Sequence, residues 1–194
     1  MSSDFFFDGH LALDLLNTVA PVDGRPADLL DSPAAAAGWL ARSGAAPGEA
    51  MAILEASPPE ARRLLEEMHR LREAVASLVD AWARGTILPE AAIFALNRVL
   101  ATRHREARVM ADGVRATLRE QDRLDLPMGV LASVAESAAL LLATGDRQRL
   151  RRCDDPGCGL WFYDTSRNGR RRWCSMARCG NRAKVAAHYR RRRA

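Results

Sequence analysis

The sequence predicts a mainly helical α+β fold with one small β-hairpin, followed by a compact C-terminal module built around cysteines. Three observations predict it. Apolar residues recur at three- and four-residue steps from Pro58 to Arg84, the pattern switches once to strict alternation around Asp112-Gly113, and all four cysteines fall in the last 42 residues.

Along the chain, the segment from Gly9 to Val19 reads as a short helix with Leu11, Leu15, Leu16 and Val19 on its apolar sides. Asp14, Asn17 and Thr18 share the remaining arc. The Pro-, Ala- and Gly-rich stretch from Pro21 to Gly48 holds at most two short helical pieces, near Pro33–Ser43 and Pro47–Ala56. From Pro58, Leu64, Met68, Leu71, Val75, Leu78, Val79 and Trp82 form one buried stripe of a long helix. A proline suits its first turn and Gly85 its end. Pro89 to Thr102 is a second helix. Glu106 to Arg119 alternates about Asp112-Gly113, a hairpin turn signal. Met128 to Thr144 returns to helix and stops at Gly145. Charge and composition shift near Asp146–Arg151, which divides a helical domain, 1–148, from a C-terminal one, 149–194.

The charge is uneven. Residues from Arg151 onward carry 13 basic and 3 acidic groups, a net of +10, whereas the whole chain is only +5. An acidic body with a basic tail points to a polyanionic partner for the tail. No apolar run reaches the roughly 18 residues a membrane helix needs. The N-terminus lacks the basic start and cleavage site of a signal peptide, so a cytoplasmic, non-membrane protein is expected. A reducing compartment argues against disulfides.

The cysteines follow the pattern C-x4-C, fifteen residues, C-x4-C: Cys153, Cys158, Cys174 and Cys179. Two close pairs of soft thiolates suit one tetrahedral Zn2+; an iron–sulfur centre or free thiols are the alternatives. Pro156-Gly157 and Gly159 supply a tight turn around Cys158. Leu160–Tyr163 and Arg171–Trp173 read as two strands joined by Ser166–Gly169, with Trp161, Phe162, Tyr163 and Trp173 as a small core beneath them, base stacking being the alternative role for these aromatics. Ser175 suits the cap of a final helix, Met176 to Arg193. Knuckle, hairpin and helix together outline a treble-clef-like zinc finger with four cysteine ligands. Some 42 residues rarely bury enough surface to fold unaided, and a fully ligated zinc is structural, not catalytic.

Cys179-Gly180-Asn181-Arg182 spells the motif of the CGNR zinc-finger family, and residues 162–184 closely resemble that finger. Gly9 to Thr18, GHLALDLLNT, resembles the opening of the ABATE domain that usually precedes it. The resemblance implies a stress-responsive bacterial transcriptional regulator. It also implies that His10, Asp14, Asn17 and Thr18 line a small-molecule pocket, the alternative being an ordinary wet helix face.

On the final helix, 100° per residue places Ala183, Ala186 and Ala187 toward the zinc core and Asn181, Lys184 and His188 opposite. That second stripe can read base edges, or it is simply solvated. Arg170, Arg171, Arg172, Arg178, Arg190 and Arg191 are the main expected phosphate contacts, together with Arg167, Arg192 and Arg193. Arg182 is expected to pair with Asp164 and fix the hairpin to the helix. The body shows no Ser–His–Asp order, glycine-rich phosphate loop or His/carboxylate metal cluster, so no enzyme is expected. The leading expectation is a regulator binding DNA through the finger, with the N-terminal domain sensing a ligand or mediating dimerisation. RNA is a variant of that partner, and an adaptor docking on an acidic protein surface is the alternative. One finger offers few base contacts, so a homodimer or a second DNA-contacting element is expected.

Overall fold

A computed structural model of the chain describes residues 9–22, 25–46, 52, 56–124 and 127–193. The helix expected at Pro47–Ala56 lies largely outside the described residues. The body begins with α1 (Leu11–Leu16), followed by a hairpin of β1 (Val19–Val22) and β2 (Arg25–Asp28). This hairpin is not legible in the sequence. Pro21 faces Pro26 in its register, and prolines remove the ladder donors that make a strand recognisable.

Next comes α2 (Pro33–Ser43), where Ser32 caps the helix by accepting from the Ala35 N–H at 3.2 Å. The long helix α3 (Pro58–Arg84) buries Leu64, Met68, Leu71, Val75, Leu78 and Val79, the expected stripe. It ends at Gly85 with φ 68°, the left-handed C-cap that only glycine adopts without strain. α4 (Glu90–Leu100) and α5 (Ala132–Thr144) complete the helical layer, with a 3-10 turn at Met128–Leu131 leading into α5. α1, α2 and α4 each pack on α3, and α5 packs on α1, α3 and α4. Their shared core holds Leu13, Leu15, Trp39, Leu40, Leu64, Met68, Leu78 and Leu131.

Between α4 and α5 stands an antiparallel ribbon, β3 (Arg103–Asp112) with β4 (Arg115–Leu124). Asp112 pairs with Arg115, so the turn residues are Gly113, at φ 60°, and Val114, one position beyond the expected centre.

The C-terminal module starts with β5 (Leu150–Arg152), which pairs with β6 (Trp161–Tyr163). Arg171–Trp173, expected as the partner strand of β6, is not a strand. β5 takes that place because its register brings Arg152 opposite Trp161 and lets the Cys153 N–H continue the ladder to Leu160 O at 2.9 Å. Leu150 is buried in the body's core, and Trp161 and Tyr163 pack against it. A π-type turn, Met176–Gly180, then leads into α6 (Asn181–Arg193).

Candidate metal centre and nucleic-acid interface

The β5–β6 hairpin is itself the first cysteine knuckle: Cys153 follows β5, and Gly159 and Leu160 separate Cys158 from β6. Asp155 shapes the loop between them. Its Oδ1 accepts from the Gly157 N–H at 3.0 Å, its backbone carbonyl accepts from Cys158 N at 2.9 Å, and Gly159 turns the chain with φ 66°. The second knuckle carries Cys174 just before the π-type turn and Cys179 within it. That turn closes with a bond from the Gly180 N–H to Ser175 O at 3.0 Å, so Ser175 contributes its carbonyl where its hydroxyl was expected to cap.

All four cysteines are buried, and their sulfur atoms all lie within 4.8 Å of one another. Cys158 Sγ and Cys174 Sγ are 3.6 Å apart, as are Cys174 Sγ and Cys179 Sγ. Zinc–thiolate bonds of about 2.3 Å put tetrahedral sulfurs about 3.8 Å apart, so one ion fits this cage. A multi-iron cluster spreads its thiolates over several metal atoms and requires a wider cage. The backbone supports the sulfurs as well: Cys174 N–H donates to Cys153 Sγ at 3.4 Å.

Protonation is distributed unequally among the metal-free thiols. A hydrogen bond from the Cys174 thiol lowers Cys158 to about 5 against the effect of burial. The same bond, with burial, pushes Cys174 upward. Burial raises Cys179 to about 11, although Arg182 pulls it down.

Arg182 is a cation aimed at a ligand sulfur. Its Nη2 donates to Cys179 Sγ at 3.2 Å and its Nε to Asp155 Oδ2 at 2.6 Å. The expected pairing with Asp164 is thereby corrected. Arg182 lies one helical turn from the sulfur, and Asp155 is the carboxylate on the facing knuckle. Burial opposes ionisation of Asp155, but the Gly157 N–H and Arg182 outweigh it and hold its carboxyl below the ordinary range. Asp155 was missed as a functional residue, although Asp-Pro-Gly between two ligands is a turn signal with a carboxylate at its start.

Asp164 serves a different loop. Fully buried, it accepts from the Ser166 N–H at 2.9 Å, the Ser166 hydroxyl at 2.5 Å and the Arg171 N–H at 2.7 Å. These bonds fold residues 164–171 back on themselves.

The arginines divide into two groups. Arg171, expected on phosphate, turns inward: Nε donates to Trp173 O at 2.9 Å, Nη2 to Cys174 O, and the guanidinium lies 4.7 Å from the Phe162 ring centre. Its donors are used by the finger's own backbone. Arg172 is exposed and bonds Asp154 at 2.8 Å. Arg167, Arg170 and Arg178 are exposed. On α6, Asn181, Lys184 and His188 are exposed, and Asn181 spends one amide proton on Ala177 O at 3.3 Å. Ala183 and Ala187 are half-buried, but Ala186, expected against the zinc core, is exposed. The side chains of Arg190 and Arg191 lie outside the described residues.

The expected pocket residues separate. Asp14, Asn17 and Thr18 are buried. Asn17 Nδ2 donates to Trp161 O at 2.8 Å and its Oδ1 accepts from the Trp161 N–H at 2.9 Å, so the amide acts as a strand partner for β6. Thr18 donates to Leu15 O and accepts from Arg72, whose guanidinium also holds Asp28. Of the four, His10 alone lines a surface cleft of about 480 Å³, bordered by Glu136, Ser137, Leu141 and Tyr163. Its ring meets Tyr163 edge-on at 5.1 Å.

These features are those of known families. The ABATE profile, described as "Putative stress-induced transcription regulator", matches residues 9–145, most of the chain. The chain belongs to the ABATE family. A second profile, the CGNR zinc finger, matches residues 149–192. No curated protein matches the chain by sequence. The CGNR match and the sulfur cage agree on the cofactor: one structural zinc ion, with four cysteine ligands leaving no open position for water. Asn17 therefore joins the ABATE body directly to the first strand after a zinc knuckle. Among the described residues, no helix is long and apolar enough to cross a membrane.

Proposed function

We propose that this ABATE–CGNR chain is a cytoplasmic transcriptional regulator that binds duplex DNA through its finger. The observation that carries the reading is the charge and exposure of α6. No acidic residue follows Asp164, and Asn181, Lys184 and His188 stand exposed on a helix held at its start by the zinc cage. Asn can pair bidentately with adenine and Lys can reach guanine or phosphate, while Arg167, Arg170 and Arg178 supply backbone contacts. The family description as a transcription regulator supports the same reading. The ABATE body would sense a signal, and the reading assigns the chain no catalytic step.

The test is selection from a random duplex library with zinc-loaded protein, repeated with Asn181→Ala and Lys184→Ala. An enriched motif that either substitution weakens, with affinity falling steeply as salt rises, supports the reading. Absence of duplex binding at physiological salt removes it. Capture of an acidic protein that survives nuclease treatment favours an adaptor instead.

A further inference from the structure

We propose that the Ser166–Gly169 turn is a second DNA-reading element, which inserts Arg167 into the minor groove beside the major groove that α6 occupies. The proposal rests on the duplex-binding reading above and extends it, taking Arg167 past the backbone to the base edges.

The turn is fixed from several sides. The Gly169 N–H donates to Ser166 O at 3.2 Å, which leaves Arg167 and Asn168 as the two central residues at the apex. Beneath them the buried Asp164 carboxylate accepts from the Ser166 and Arg171 N–H groups. At the edge formed by β5, Arg149 Nη1 donates to the carbonyls of Asp164 and Ser166, both at 2.9 Å. Arg151 Nη2 donates to Gly169 O at 2.8 Å. A loop held in this way has little conformational freedom left to lose on binding.

The cations around it sort by use. Arg149, Arg151 and Arg171 spend donors on the finger's own carbonyls. Arg167 and Arg170 are exposed and make no hydrogen bond or ion pair among the described residues. Residues 165–173 contain four arginines and no acidic group, so the apex is cationic.

The chain leaving the turn runs beside the anchor of α6. Asp154 N–H donates to Arg172 O at 3.0 Å, and its carboxylate accepts from Arg172 Nε at 2.8 Å. The next residue, Asp155, holds Arg182 of α6. Arg167 is five residues from Arg172, a span of at most about 18 Å. Adjoining grooves lie about half a helical turn apart, roughly 17 Å along the duplex. The turn thus supplies the second DNA-contacting element that a single finger needs.

The chemistry of the side chain sets the preference. A guanidinium offers donors and no acceptor. A·T pairs present only acceptors in the minor groove, adenine N3 and thymine O2, whereas G·C places a donor amino group there. A narrow A·T groove also concentrates the negative potential that draws arginine. Arg167 should therefore favour A·T pairs flanking the motif that α6 reads, a preference no phosphate contact would carry.

The test is equilibrium binding of the full zinc-loaded chain to duplexes with the selected motif and an A·T, G·C or inosine·cytosine flank. Inosine·cytosine has the minor-groove face of A·T and the major-groove face of G·C. A·T and inosine·cytosine flanks should bind alike, each about 10-fold tighter than G·C. In Arg167→Ala the three should converge to within about twofold, with zinc content and far-UV dichroism verifying the fold. Arg170→Ala should instead weaken all three equally and lower the salt slope by about one, as a phosphate contact does. A wild type without flank preference, inosine·cytosine bound like G·C, or a preference that survives Arg167→Ala would each overturn the inference and leave the duplex-binding reading standing. A wild type that binds no duplex at all would remove both.

Discussion

At the scale of single residues, the two most consequential contacts are made by side chains that face inward. Asn17 gives both ends of its amide to the Trp161 backbone. Asn17→Ala deletes two hydrogen bonds and strands a partly buried N–H and C=O, which should cost about 2–4 kcal/mol. Denaturant unfolding measures this, and zinc stoichiometry should stay at one because no ligand moves. A loss under about 0.5 kcal/mol would mean that water replaces the amide at no cost. Arg182 presents a different case, because it touches the metal's own ligand. Losing such an outer partner typically weakens metal binding about 10–100-fold, the expectation for Arg182→Ala in chelator competition. Arg182→Lys keeps the charge but cannot reach Asp155 and Cys179 together, so it should recover only part. The Asn17 role was hidden because its partner lies 144 residues away, and nothing local distinguishes a clamp from a wet helix face. The cysteine ligands were legible because four thiols in two close pairs restrict the chemistry wherever the chain runs.

At the scale of elements, periodicity over several turns was legible and short irregular pairing was not. The α3 stripe and the α2 boundaries follow from the sequence because burial and capping there are local. β1–β2 and β5 escaped because three or four residues hold too few alternations to stand out, and β5 owes its place to Leu150 in the body's core. The junction between α5 and the finger shows how tightly such elements are fitted. A Cβ on Gly145 would sit 2.4 Å from Leu141 O and 3.0 Å from the Trp82 ring. The carbonyl belongs to the helix backbone and cannot yield cheaply. Gly145→Ala should therefore destabilise the chain by about 1–3 kcal/mol, the usual cost of overpacking. Thermal or urea unfolding checks it. By contrast, Gly180→Ala would press on the Met176 thioether, a flexible and half-exposed group that can move aside. That substitution should cost less than the first, and the opposite order would refute the packing argument.

For the molecule as a whole, the decisive feature is that body and finger share structure. Leu150, Trp161 and Tyr163 pack with the helical core, Asn17 holds β6, and the Tyr163 hydroxyl accepts from the Asp146 N–H at 2.7 Å. The composition break near 146–151 marks a change of charge, not a mechanical separation. Zinc binding should then stabilise the ABATE body as well as the finger, since ligation energy is realised only with both strands in place. The pH dependence of that coupling has a definite sign. Without metal, Cys174 and Cys179 are pushed above the ordinary thiol range and keep their protons at neutral pH, whereas Cys158, at about 5, has lost its own. Ligation must expel at least two protons, so affinity should rise at least about 100-fold per unit between about pH 6 and 8 and fall on acidification. Chelation at fixed pH should lower the melting temperature reported by body helices and finger tryptophans together, in one transition. Asn17→Ala should reduce the shift that zinc gives the body's melting without abolishing it, because the packing of Leu150, Trp161 and Tyr163 on the body remains. Two transitions in the unaltered chain, or a body indifferent to chelation, would show that the shared core transmits nothing.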